Sequence, residues 1–132
     1  MRVTAIILFI LSAFSGFAQE ANTTVEDFEI KFEYHYNKVF LTASNGTNWL
    51  ELQFNFFPNE DAKLIDNVGV STYSDELFDK LKGERTFIFT LKRTKDGFAL
   101  VGLKGTAWKD LSFSCDENYC KRTLTERGVE LQ

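Results

Sequence analysis

The chain has 132 residues and carries 15 basic against 19 acidic side chains, a net charge of -4. Such an acidic balance excludes the basic surface that tracks phosphates, so we expect no nucleic-acid partner. Hydrophobic residues make up 44% and aromatic residues 15% of the chain, with a single proline, which excludes a disordered protein.

The first residues have the order of an export signal. They comprise a positive start at Arg2, an apolar run over residues 5–14, and small side chains at Gly16 and Ala18. The run is shorter than the roughly 20 residues that span a bilayer, and no later run is longer. The sequence predicts a signal peptide over residues 1–18, one domain over residues 19–132, no membrane span in the mature form, and a periplasmic or secreted location.

The charge is unevenly distributed along the mature chain. Residues 19–79 hold 3 basic and 12 acidic side chains, while residues 80–132 hold 11 basic and 7 acidic ones. The simpler interpretation is that the two parts pair across one fold, because mixed surfaces are ordinary. The alternative is an acidic ligand for the second part.

Apolar side chains alternate with polar ones through most of the first half. Phe28 to Tyr36 show a period of two, which predicts a half-buried strand, and Asn37-Lys38 is expected to turn into a second strand over Val39 to Ala43. Asn45-Gly46 then indicates a two-residue type I′ hairpin turn. A third strand is expected over Trp49 to Phe57, which completes a meander.

A short helix is expected after this meander, because Thr72 or Ser74 can cap a segment with acidic residues in its first turn and Gly83 at its end. Three strands follow, over Thr86 to Arg93, Phe98 to Leu103 and Ala107 to Ser114, and the tail over residues 121–132 fits a strand or a short helix. We detect no internal repeat. The sequence therefore predicts a mainly β fold, an antiparallel sheet or small barrel or sandwich of about six or seven strands, ordered as meander, helix, meander.

Cys115 and Cys120 are the only cysteines, and they stand five positions apart. A close pair in an exported protein indicates a structural disulfide. A redox motif would have two intervening residues, and a zinc site would need further ligands that this chain hardly supplies.

Few residues suit catalysis. His35 is the sole histidine and lies in phase with the polar face of the first strand, which is typical of a solvated position. Asn59, Glu60, Asp61, Asp66 and Asn67 could offer oxygen ligands to calcium, but the spacing of a calcium-binding loop is absent. We therefore predict no catalytic residue, no metal site and no cofactor.

The two tryptophans depart from the strand pattern. Trp49 falls out of phase with Leu50 and Leu52, and Trp108 with Leu111 and Phe113, so alternation places both rings on the polar side. Exposed tryptophans can mark a binding face, which makes Trp49 and Trp108 a candidate binding surface. The alternative is that each ring begins a strand and packs under a loop or the helix.

The segment Gly105-Thr106-Ala107-Trp108-Lys109-Asp110-Leu111-Ser112-Phe113 and the signal ending Phe17-Ala18 before Gln19 resemble small exported proteins of the Bacteroidota. The resemblance implies an address outside the cytosol and no activity.

Aromatic richness without catalytic groups favours a non-catalytic binding module for a protein partner or an apolar or sugar-like molecule. Two other functions stay open. One is a small hydrolase that uses paired carboxylates in a deep pocket. The other is a structural, oligomeric component of the cell envelope.

Overall fold

The computed structural model describes residues 24–116 and 118–131. The predicted signal peptide, residues 1–18, lies outside the described residues. Within the part that is described, no helix is long and apolar enough to cross a membrane.

The described residues form two five-stranded antiparallel sheets and one short helix. In chain order the elements are β1 Glu29–His35, β2 Lys38–Asn45, β3 Glu51–Asn55, β4 Lys63–Asp66, β5 Val70–Thr72, α1 Asp75–Leu81, β6 Ile88–Arg93, β7 Gly97–Lys104, β8 Asp110–Ser114, β9 Tyr119–Thr125 and β10 Gly128–Leu131. The first sheet has the order β10-β9-β1-β2-β3 and the second the order β5-β4-β6-β7-β8. The mainly β, antiparallel prediction with one short helix is confirmed, and the two sheets form a sandwich and not a closed barrel among the described residues. The predicted number of six or seven strands is too low, since the described part of the chain has ten, and the last two join the first sheet through β1 and do not extend the second meander.

The details of several links differ from expectation. The first turn lies at Tyr36 and Asn37, whose φ angles of 45° and 66° are both positive. Asn45-Gly46 does not form a two-residue turn, since β3 begins only at Glu51. The short strands β4 and β5 lack a clear alternation of apolar and polar residues, so the sequence did not predict them. The tail, which fitted a strand or a helix, contributes to the β9-β10 hairpin.

Phenyl rings fill the space between the sheets. Six phenylalanines are fully buried: Phe28, Phe32, Phe56, Phe87, Phe89 and Phe98. The rings of Phe28 and Phe87 stack with their centroids 4.1 Å apart, and Phe32 meets Phe98 edge-on at 4.9 Å. Aromatic pairs at such distances stabilise the fold by more than the burial of their apolar surface area alone. The interior is therefore a packed core.

The helix α1 begins where the sequence predicts. The Ser74 hydroxyl accepts a hydrogen bond from the Leu77 amide at 3.0 Å, and Asp75 and Glu76 occupy the first turn, where the helix dipole favours negative charge. At the other end, Lys104 Nζ donates to the Lys82 carbonyl at 2.6 Å. This bond ties the helix to the end of β7.

The outer face of the second sheet is partly covered. Leu64 and Ile88 alternate with core residues on β4 and β6, yet both are fully buried and neither belongs to the core cluster. The segment between β5 and β6, which includes α1, is bonded to the end of this sheet through Lys82 and Lys104. The first sheet has no corresponding segment among the described residues.

The two sheets repeat the same plan. The strands β2 and β7, and likewise β3 and β8, have bounds that differ by 59 positions at both ends. The ladders β1-β2 and β6-β7 also share a register shift at their first residue pair. The prediction of no internal repeat is wrong. Few residues 59 positions apart are identical, and many differ in size or polarity, which conceals the repeat in the sequence.

Gly105 should not tolerate a side chain. Its φ is +77°, and an added Cβ would lie 2.5 Å from the Thr86 carbonyl oxygen. We expect Gly105→Ala to lower the free energy of unfolding by about 2–4 kcal/mol, measured by urea denaturation. Gly83→Ala, where nothing lies within 4 Å, is the control and should change it by less than about 0.5 kcal/mol. Equal effects of the two substitutions would contradict the tight contact.

Candidate functional site

Both tryptophans lie in the core. Trp49 and Trp108 are each 8% exposed. Their indole N–H groups donate to backbone carbonyls, Trp49 to Asp66 at 3.0 Å and Trp108 to Thr125 at 2.9 Å. Each ring precedes its strand, so strand alternation does not apply to it. The structure places these two residues inside the sandwich and not on an exposed binding surface.

Cys115 and Cys120 are joined by a disulfide, with their Cα atoms 5.2 Å apart. The bond closes the link between β8 and β9. Cys120 is buried, and Cys115 packs against the core cluster. The pair therefore has the structural position that the sequence predicts.

His35 lies at the exposed end of β1. Its ring meets those of Tyr36 and Tyr119 edge-on, with centroids 4.9 Å and 5.6 Å away. The structure therefore places it among aromatic rings and not beside a nucleophile.

The candidate calcium ligands between positions 59 and 67 bond to different partners, and Asp66 lies on β4. Glu60 Oε2 accepts from the Phe57 amide at 2.8 Å, and Asn67 Oδ1 accepts from the Thr86 amide at 2.8 Å. Asp66 is buried and pairs with Arg85 at 3.0 Å. Among the described residues, no three side chains of the metal-ligating type come together.

Two carboxyl groups in the described part of the chain have a shifted pKa. The amide of Phe57 lowers the pKa of Glu60, against a smaller raising effect of burial and with help from Lys63. Burial alone would raise the pKa of Glu126, but hydrogen bonds from the Phe28 amide and its own amide, together with Arg127, lower it. A general acid for glycoside hydrolysis needs a raised pKa. Both shifts run in the opposite direction.

An apolar groove lies on the outer face of the second sheet, beside the segment that leads into α1. It has a volume of about 550 Å³. Its lining consists of Ala62, Tyr73, Thr90, Lys92, Arg93, Thr94, Ala99, Val101 and Leu103, without a carboxylate. Val101, one of its lining residues, is 40% exposed. The sequence analysis missed this groove, because its residues are far apart in the chain and none is unusual by itself.

The corresponding face of the first sheet has a smaller cavity of about 220 Å³, lined mainly by polar side chains such as Lys31, Glu33 and Thr42. Thr90 and Val101 pair across β6-β7, and the residues 59 positions earlier, Lys31 and Thr42, pair across β1-β2. The further counterparts are Ser44 for Leu103, Glu33 for Lys92 and Phe40 for Ala99. Equivalent faces of one fold are thus largely polar on the first sheet and apolar on the second.

In comparison with known proteins, the chain matches no family model, no curated protein and no solved structure. The fold and the groove therefore carry the functional argument.

Glu126 predicts a pH dependence of stability. Its Oε1 accepts a hydrogen bond from the buried Phe28 amide at 3.1 Å, and its pKa is lowered in the folded state. The charged carboxylate therefore stabilises the fold at pH values above the pKa of this group in the unfolded chain. That stabilisation is lost as the pH falls through the folded-state pKa. We expect Glu126→Gln to lower the free energy of unfolding by about 1 kcal/mol at pH 7 and by clearly less at pH 3.

Urea unfolding at the two pH values measures this difference. The control is Glu130→Gln, at an exposed position of β10 that loses the same charge. A cost of Glu126→Gln that is the same at both pH values would contradict the role of the carboxylate.

Proposed function

We propose that the protein is an exported, non-catalytic binding module whose site is the apolar groove on the outer face of the second sheet. Its occupant is an extended peptide segment of a partner protein, with apolar side chains flanked by carboxylates. A periplasmic or secreted location is part of the proposal, and it is supported by the disulfide.

The observation that carries the proposal is the difference between the two outer faces. The first sheet keeps polar Lys31 and Thr42 at the positions where the second has Thr90 and Val101. The fold itself therefore does not require apolar residues there. On the same outer face Leu64 and Ile88 are buried, but Val101 stays exposed.

The charges around the groove favour an acidic partner. Lys92 and Arg93 line one end, and Lys104 follows Leu103 at the other. Lys92 Nζ donates to the Glu60 carbonyl, whereas the Arg93 guanidinium turns inward over the Tyr34 ring. Within the described part of the chain no carboxylate forms an ion pair with Lys92, so its charge is open to a partner. A carboxylate beside an apolar segment would complement it.

A volume of about 550 Å³ lies in the range of sites that bury small ligands or a few side chains. The packed phenyl core leaves the surface as the place for binding. The lowered pKa values of Glu60 and Glu126 give no support to a carboxylate-dependent hydrolase.

The test is selection of peptides from a random displayed library on the folded protein. We expect the enriched peptides to combine apolar residues with Asp or Glu. Val101→Asp should weaken their binding at least about tenfold, because a carboxylate would be buried in the apolar contact and would face the ligand's own acidic groups.

Thr42→Asp is the matched control, since it places the same group at the corresponding exposed position of the first sheet. It should leave peptide affinity unchanged, with thermal unfolding showing that both variants fold. The proposal is wrong if no peptide enriches above background, or if both substitutions weaken binding equally.

A further inference from the structure

The two halves of the chain align without a gap. Residues 24–72 placed on residues 83–131 give the same residue type at ten positions: Phe28, Leu41, Gly46, Thr47, Trp49, Leu52, Phe54, Asn59, Gly69 and Val70. The identities include large core residues and turn glycines, which packing and backbone conformation constrain most. This pattern indicates that the same local structure is specified twice.

Hydrogen bonds recur with donor and acceptor both shifted by 59 positions. Five bonds of the first half have such a counterpart: Thr47 Oγ1 to Trp49 O, Trp49 Nε1 to Asp66 O, Ala43 N to Leu50 O, Asn48 N to Asn67 O, and Phe56 N to Asn37 O. The counterparts are Thr106 Oγ1 to Trp108 O, Trp108 Nε1 to Thr125 O, Gly102 N to Lys109 O, Ala107 N to Glu126 O, and Cys115 N to Asp96 O. Unrelated halves would not share this network.

Side-chain contacts recur in the same way. Lys63 Nζ lies 5.9 Å from the ring centroid of Phe54, and Arg122, its counterpart, lies 5.2 Å from that of Phe113. An added Cβ at Gly46 would meet the Asp27 carbonyl oxygen, just as one at Gly105 would meet that of Thr86, both at 2.5 Å. The halves therefore match in their packing as well as in their backbone.

Two residues contact their own counterparts, which places them on a pseudo-two-fold axis. Phe28 stacks on Phe87 at the start of β1 and β6. At the far ends of the same strands, the Arg93 guanidinium lies 5.0 Å from the ring centroid of Tyr34. The axis thus runs between β1 and β6. The halves join through corresponding strand pairs, β1 with β9 and β6 with β4.

We propose that the chain is a fused dimer, in which two copies of one unit associate as subunits related by a two-fold axis would. The surface between the halves is then self-complementary, and the partner that it fits is a second copy of the same unit. The connecting segment of residues 73–82 makes this association intramolecular. This inference does not depend on the proposed function of the groove.

The axis makes a specific prediction, because residues on it can exchange places. Arg93 Nη1 donates to Asn37 Oδ1 at 2.7 Å and to the Phe56 carbonyl at 2.9 Å. The counterparts of these acceptors are Asp96 and the Cys115 carbonyl. An arginine at position 34 would therefore find equivalent partners, with a tyrosine at position 93 beneath it.

The experiment is a double-mutant cycle on the full chain, read as the melting temperature. Tyr34→Arg sets two guanidinium groups against each other and should lower it by about 10 °C, and Arg93→Tyr should lower it by about 5 °C. We expect the double variant to melt within about 3 °C of the unmodified protein. A double variant that loses at least the sum of the single losses would overturn the two-fold relation.

A second chain tests whether a copy of one unit can replace the other. Residues 24–82 followed directly by residues 24–72 keep the native spacing, since position 24 corresponds to position 83. This chain places Phe28 on Phe28 and Tyr34 on Tyr34 at the axis. A strand-rich monomer with one cooperative unfolding transition is the expected result. Absence of a cooperative transition would overturn the claim that a second copy fits.

Discussion

The packing of phenyl rings between the two sheets is the constraint on which the rest of the structure depends. Phe28 and Phe87 stack at 4.1 Å and belong to opposite sheets and opposite halves. The rings of Phe32, Phe89 and Phe98 continue the layer. Because this interior is filled, the sheets are held at a fixed separation, and the proposed binding site lies on the outside of the sandwich.

The same core explains why the outer faces are free to differ. A sheet whose inner face is buried needs only polar residues outside, as Lys31 and Thr42 show on the first sheet. The second sheet has Thr90 and Val101 instead, beside the helix segment. The apolar groove is therefore an addition to the fold that stability does not demand, which is why it carries the functional proposal.

Local patterns predicted the elements better than their arrangement. The alternation from Phe28 onwards, the Ser74 cap and the close cysteine pair each depend on neighbours in the chain, and each prediction is confirmed. The tryptophans were harder to place, because the backbone carbonyls that accept from their indole N–H groups lie 17 residues away in the chain. For Trp49 the acceptor is the Asp66 carbonyl. The groove depends on strand pairing between distant segments, which a single sequence does not reveal. The repeat is present in the sequence, but only ten of its 49 aligned positions are identical.

The most direct measurement is methyl NMR of the folded protein, titrated with a peptide selected as above. The account predicts shifts at Ala99, Val101 and Leu103, and none at Val39 or Leu41 of the core. Shifts confined to the first sheet, or spread through the core methyls, would contradict a binding site on the outer face of the second sheet.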